Sequence, residues 1–314
     1  MKETAALEAH LRDAVEGLAG DGAGQARFGI AVSGGPDSMA LLFLAVRAFP
    51  GRVEAATVDH GLRPESAAEA RMVAAWCAAH GIAHAVLHPA APRTGNLHDW
   101  ARAKRYARLE AWREERGLDW IFTAHHADDQ LETMLMRLNR GAGVSGLAGI
   151  RPRAGHVLRP LLAVRKARLQ ALADIEALPH VQDPSNADPR FDRSVLRSAL
   201  ADADWLDPQA AVRSASALAE VEQALQWTVD RLAARHLRRE GEGWRLDRTD
   251  FPRELQRRLL LTMWALATGS ARPPRGDSVD RAIAMAAMGK KASLGGWLLV
   301  GGSGWSLLPA PPRR

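Results

Sequence analysis

The sequence predicts an α/β protein: a parallel, doubly wound sheet followed by a mainly helical second domain. Three observations carry this prediction. Apolar runs, turns and helical patterns alternate from about residue 27 to about 124, as strands and crossover helices do in a parallel sheet. A tight Gly34-Gly35 turn separates the apolar run Phe28–Val32 from the helical pattern Met39–Val46, which reads as a first strand meeting a helix N-terminus. Asp202, Asp204, Asp207 and Pro208 then break the pattern, and long helical periods follow. The expected domains are residues 1–204 and 205–314.

The elements follow in order. Leu7, Leu11, Val15 and Leu18 stand at helical spacing and predict an amphipathic helix over 4–19. Strands are expected near 27–33, 53–58, 82–87 and 119–124, with helices near 37–48, 66–80 and 97–116. Ligands of such sheets bind at the carboxyl ends of the strands, so the residues just after each strand are the informative ones.

After the first strand comes Ser33-Gly34-Gly35-Pro36-Asp37-Ser38. Two glycines let backbone amides approach an anion, and a helix N-terminus offers unpaired N–H groups and a favourable dipole. Asp37 suits such a site if a cation bridges it to phosphate. The plainer reading is a capped turn. No Gly-x-x-x-x-Gly-Lys-Ser/Thr occurs, so this is not the common phosphate loop.

After the second strand, Asp59 and His60 would lie near adenine or ribose and Arg63 near an anion, unless the segment is only a polar loop capped by Ser66. The helix over 97–116 carries Arg102, Lys104, Arg105 and Arg108. It is either a solvated basic face or, through Arg102 and Arg105, a contact for phosphate or RNA. Past the fourth strand, on a helix starting near 126, Asp128, Asp129 and Glu132 share a face. They complement the helix dipole, and they also suit a metal or a cationic substrate. A transition-metal site with His125 and His126 is the lesser reading, because a phosphate loop calls for a hard ion such as Mg²⁺.

Four glycines between 141 and 149 predict a loop or lid. A short strand over 157–162 leads into a helix at Arg165-Lys166, and the turn-rich run 182–197 offers Arg190, Arg193 and Arg197 to a substrate. Helices are expected over 209–240, 250–268 and 275–288, and a small hairpin closes the chain over 292–309.

Composition narrows the class. The net charge of +6, carried almost wholly by arginine, suits a polyanionic partner, and a GC-rich genome accounts for it equally well. A single cysteine, Cys77, excludes an internal disulfide and any Cys-x-x-Cys site. No apolar run is long enough to cross a membrane and no signal-peptide core opens the chain, so a cytoplasmic protein is expected. Oligomeric state, a homodimer included, is left open.

The Ser33–Ser38 loop resembles that of the N-type ATP pyrophosphatases, which cleave ATP between its α- and β-phosphates. Four further segments narrow the likeness: Val58-Asp59-His60-Gly61-Leu62-Arg63, Ala101-Arg102 with Arg105-Tyr106, Ala124–Asp129 with Glu132-Thr133, and Asp183-Pro184-Ser185-Asn186. Together they resemble the bacterial tRNA(Ile)-lysidine synthetases over roughly residues 27–200. The resemblance implies a Rossmann-like catalytic domain over 1–204 and a tRNA-binding middle domain over 205–314. It also implies ATP and Mg²⁺, free L-lysine, and a tRNA(Ile) with a CAU anticodon. The wobble cytidine is adenylated at its C2 oxygen and lysine then displaces AMP.

On this likeness Ser33, Gly34, Gly35, Pro36, Asp37, Ser38, Asp59 and His60 bind ATP, and Asp37 with Asp128 or Asp129 positions Mg²⁺. Asp37, Asp128, Asp129, Glu132, Arg102 and Arg193 form the catalytic set, with Glu132 or a neighbouring acid binding lysine. Arg63, Arg105, Arg190 and Arg197 meet tRNA or the intermediate. Two departures stand out. Ser194 replaces the family's usual asparagine, and the sequence stops near 314, where longer members carry a further C-terminal domain; without that domain this would be a short form. A 2-thiocytidine synthetase would need cysteines the chain does not have. Ammonia-using relatives lack its basic middle segments, and a silent tRNA-binding protein would have no need of carboxylates beside an RNA phosphate.

Overall fold

A computed structural model describes residues 2–59, 66–88, 97–181, 192–200, 203–270 and 274–310. The chain divides into two compact units, Met1–Ala219 and Glu220–Arg314. Among the described residues no helix is long and apolar enough to cross a membrane.

The first unit is built on a six-stranded sheet, with β1 (Phe28–Ala31), β2 (Val53–Val58), β3 (His84–Leu87), β4 (Trp120–Phe122), β5 (Arg153–Ala154) and β6 (Val157–Leu158) in the order β3-β2-β1-β4-β6-β5. All neighbours are parallel except the β5–β6 hairpin. β1 lies centrally between β2 and β4, so the turn that follows it opens at the middle of the carboxyl edge.

Helices cover the sheet. α1 (Lys2–Ala19), α2 (Pro36–Ala48), α3 (Ser66–Ala79) and, after the carboxyl-edge segments, a helix over Lys166–Ile175 share one core. Leu7, Leu11 and Val15, which predict α1 by their spacing, are all fully buried there beside Met39, Leu42 and Leu169. Each such side chain stabilises the unit by about 1.5–3 kcal/mol. α4 (Leu97–Arg116) packs on a second cluster, with Leu109 and Trp112 against Ala56, Leu87 and Ile121.

The remaining helices of this unit carry site residues or follow them. They are α5 (Ala127–Asn139), the single turn α6 (Val144–Leu147), α7 (Lys166–Ile175), α8 (Asp192–Leu200) and α9 (Pro208–His236), which runs on into the second unit.

The second unit departs from a mainly helical expectation. It holds a five-stranded antiparallel sheet, β7 (Leu237–Glu240), β8 (Gly243–Leu246), β9 (Lys291–Leu294), β10 (Trp297–Val300) and β11 (Trp305–Pro309), ordered β7-β8-β11-β10-β9. α10 (Arg253–Thr268) and α11 (Gly276–Ala287) pack on it through Leu260, Met263 and Ile283 against Leu246, Leu299 and Leu307.

The expected hairpin is therefore part of a larger sheet. The extra strands lie where a helix ending in arginines is expected. β7 and β8 are joined by Gly241 and Glu242, and Gly241 has φ +59°, the conformation a tight hairpin asks of glycine. Gly243 is a strand glycine for a steric reason, since a Cβ there would stand 2.2 Å from the carbonyl oxygen of Leu307.

Candidate active site

The Ser33–Ser38 turn leaves β1 and enters α2. Gly34 takes φ +84°, Gly35 is the N-cap in an extended conformation and Pro36 fills the first helical turn. Val181 N–H donates to Gly34 O at 2.9 Å and fastens the turn from outside. Ser38 fastens it from within: its hydroxyl donates to Gly35 O at 2.9 Å and accepts from Ser33 N–H at 3.2 Å. Ser33 Oγ lies 3.3 Å from Ser38 Oγ. Among the described residues the amides of Gly34, Gly35 and Asp37 have no acceptor within the protein, and they are the anion donors this turn offers.

Asp37 lies in the first turn of α2. Its Oδ1 is buried without a hydrogen-bond partner, and its Oδ2 stands 3.5 Å from His126 Nε2. His126 is the N-cap of α5 and forms a reciprocal capping box with Asp129. Its Nδ1 accepts from Asp129 N–H at 3.3 Å, and its own N–H donates to Asp129 Oδ2 at 3.2 Å. In this geometry the ring proton sits on Nε2, facing Asp37 and, at 3.4 Å, Asp129 Oδ2. Burial alone would lower the imidazole's pKa. The bond to Asp37 and the charges of Asp129, Asp37 and Asp128 more than offset it, so His126 titrates above its ordinary value.

From Asp129 the chain of contacts continues into α8. Arg193 Nη2 donates to Asp129 Oδ1 at 2.6 Å and Arg193 Nε to Glu132 Oε2 at 2.6 Å, while Arg197 Nε donates to Glu132 Oε1 at 2.6 Å. Burial would raise Asp129's pKa, and the charges of His126 and Arg193 hold it below the usual carboxylate range instead. Beside this set, burial pushes His125 down to about 4, and its Nδ1 lies 2.9 Å from Thr123 Oγ1.

Six side chains are thus brought together in one connected array: Asp37, His126, Asp129, Arg193, Glu132 and Arg197. Among the described residues Asp128 meets this array only at His126, its Oδ2 standing 3.8 Å from His126 Nδ1. Its Oδ2 accepts from Lys166 N–H at 2.7 Å, capping α7, with Arg165 Nε 3.7 Å away. Arg105 borders a small cavity of about 60 Å³ with Ala31, Val32, Ser33, Ala56, Val58 and Leu109, directly beside the glycine turn. Asp59 ends β2 and accepts from Ser66 Oγ at 2.7 Å. Arg102 lies over the Tyr106 ring, 5.2 Å from its centroid. His60, Arg63 and Arg190 lie outside the described residues. Among the described residues no group of three His, Cys, Asp or Glu side chains suits a metal ion.

Two residues have roles in the geometry that the sequence did not assign to them. His126 joins the loop acid to the helix acids, and its place just before an acidic first turn was the available signal. Gln130 exchanges hydrogen bonds with Ile150, from Ile150 N–H at 2.7 Å and to Ile150 O at 3.3 Å. Together with Arg137, which donates to Gly146 O and Gly149 O, it fastens the glycine-rich segment read as a loose lid.

Comparison with known proteins accords with this architecture. A PP-loop domain family matches residues 6–203. The tRNA(Ile)-lysidine synthase of Zymomonas mobilis is 41% identical over 92% of this chain and 90% of its own length. That of Novosphingobium aromaticivorans is 44% identical over 91% and 89%. Among solved structures, a U34-tRNA thiolase from Methanococcus maripaludis superposes with a TM-score of 0.54 at 18% identity, covering 67% of this chain and 78% of its own, a likeness of fold. Matched by the PP-loop domain over more than half its length and by full-length relatives across nine-tenths of it, the chain belongs to the tRNA(Ile)-lysidine synthase family.

Proposed function

We propose that the chain uses ATP to join free L-lysine to C2 of the wobble cytidine in a tRNA(Ile) with a CAU anticodon. The observation that carries this reading is the array from Asp37 through His126 to Asp129, Arg193, Glu132 and Arg197, set beside an anion-binding turn at the carboxyl edge of the sheet.

In the first step the C2 oxygen attacks the α-phosphorus and pyrophosphate leaves. The amides of Gly34, Gly35 and Asp37, with Ser33, hold that leaving group. The small cavity bordered by Ala31, Ala56, Val58 and Leu109 opens beside the glycine turn, with Arg105 at its margin. Mg²⁺ fits Asp37, whose buried Oδ1 has no other partner. Asp128 and Asp129 are engaged by a helix N-terminus and by Arg193 and His126. Such an ion would offset charge on the leaving pyrophosphate.

In the second step the lysine ε-amine attacks C2, AMP departs with the former C2 oxygen, and the amine loses a proton. Both Glu132 oxygens are taken by arginines, so lysine's ammonium gains Glu132 or Asp129 by displacing Arg193, the more exposed of the two. Arg193 is thereby freed for the adenylated intermediate. No step calls on a second copy of the chain. A thiolating reading has no sulfur carrier here, since burial pushes the lone Cys77 thiol up to about 11.

The test is incubation with ATP, Mg²⁺, labelled lysine and CAU-bearing tRNA(Ile) transcripts. Lysine is expected to enter the wobble base, and Asp37→Ala to slow its entry by about 10²-fold or more. ATP–pyrophosphate exchange without lysine incorporation would overturn the reading.

A further inference from the structure

Arginines that brace the first unit face carboxylates: Arg12 and Arg47 meet Glu8, and Arg27 and Arg116 meet Glu54. Four others, gathered at the carboxyl edge beyond β4 and β6, do not. Among the described residues Arg102, Arg137, Arg151 and Arg159 form no ion pair.

Their proximity is geometric. Arg159 follows β6 directly and is only 6% exposed. Its Nη1 donates to Arg151 O at 2.7 Å and its Nη2 lies 3.5 Å from the Tyr106 hydroxyl, while its Nε is buried without a partner. Arg102 lies over the ring of the same tyrosine and is exposed. Arg137 reaches the carbonyls of Gly146 and Gly149, and Arg151 that of Ala148.

The charges act on one another. Burial first, then Arg151 and Arg102, depress the Arg137 guanidinium, and Arg159 and Arg102 add to the burial that depresses His125. Carbonyls satisfy these N–H groups but leave the charge uncompensated. Clustered cations, one of them buried, cost free energy that a bound anion recovers.

We propose that Arg102, Arg137, Arg151 and Arg159 build a second phosphate subsite, separate from the glycine turn, in which exposed Arg102 grips phosphate oxygens and buried Arg159 supplies charge and positions Tyr106. A guanidinium presents paired donors that match phosphate oxygens. The phosphate belongs either to the tRNA backbone or to ATP. The tRNA source rests on the proposed function, whereas the phosphate chemistry does not.

The experiment measures tRNA binding over a salt series and ATP binding by equilibrium dialysis, for wild type, Arg102→Gln, Arg102→Lys and Arg159→Met. Arg102→Gln is expected to weaken one ligand about tenfold, with Arg102→Lys recovering part of the loss. If the ligand is tRNA, the slope of log affinity on log salt also falls by about 1 and ATP binding is unchanged. If ATP weakens instead, the nucleotide is the source. Both affinities staying within about twofold of wild type in folded Arg102→Gln would overturn the subsite, and this variant decides the matter even if Arg159→Met does not fold. Failure of the wild-type protein to incorporate lysine, with Arg102→Gln still weakening one ligand, would count against the proposed reaction and leave the subsite standing.

Discussion

Glu132 is held by two arginines. Its side chain is 6% exposed and each oxygen takes a guanidinium Nε at 2.6 Å. Removing it leaves both cations with Asp129, at 2.6 Å for Arg193 and 3.5 Å for the less exposed Arg197. Glu132→Ala is therefore expected to lower the unfolding free energy in urea by about 2–3 kcal/mol, somewhat less than a wholly buried pair loses. A shift in midpoint with unchanged slope would identify the loss as one of stability. At Asp128 the geometry says something different. That acid caps α7 through Lys166 N–H, so its removal frays a helix start and takes away an ion-pair partner of Arg165.

At the scale of elements, the site depends on how closely α4 lies against the sheet, because α4 carries Arg102, Arg105 and Tyr106. Gly29 in β1 sets that approach. A Cβ there would stand 2.5 Å from Trp112 Cζ3 and 2.8 Å from Ile121 Cδ1, both side chains being buried. Gly29→Ala is expected to cost about 1–3 kcal/mol by overpacking, read as a lowered melting temperature. It should also weaken ligand binding at the α4 side of the edge, because the helix must shift outward. An unchanged melting temperature would mean that Trp112 repacks without moving α4.

For the whole molecule, charge is divided unevenly. Met1–Ala219 holds equal numbers of basic and acidic side chains, so the excess of +6 lies wholly in Glu220–Arg314. On α9, Trp227 is 62% exposed with Arg231 stacked 4.8 Å from its ring centroid, and Arg235 follows one turn on. A basic unit with an exposed aromatic suits a nucleic-acid backbone. Arg231→Gln with Arg235→Gln is expected to weaken tRNA binding and to flatten its salt dependence by about 2 in log–log slope, leaving ATP binding unaltered. An unchanged slope would remove this face of α9 from the tRNA contact.

The sequence by itself determined the parallel sheet, its order of strand and helix through residue 124, and the glycine turn. These are local: apolar period, turn residues and cap residues act over a few positions. It also leads one to expect Asp37, Asp129 and Glu132 at the ligand edge, because each comes soon after a strand of such a sheet.

Only the tertiary structure decided which acid faces which base. Arg193 and Arg197 lie more than sixty residues from the acids they hold, and no period or motif encodes that pairing. It likewise set Asp128 at a helix start, made His126 the link to Asp37 and brought Arg102 and Arg159 to Tyr106. The second unit's sheet was hidden for the same reason. β8 pairs with β11 across some sixty residues, and strands so short and polar declare themselves only once a distant partner supplies the hydrogen bonds and the buried face.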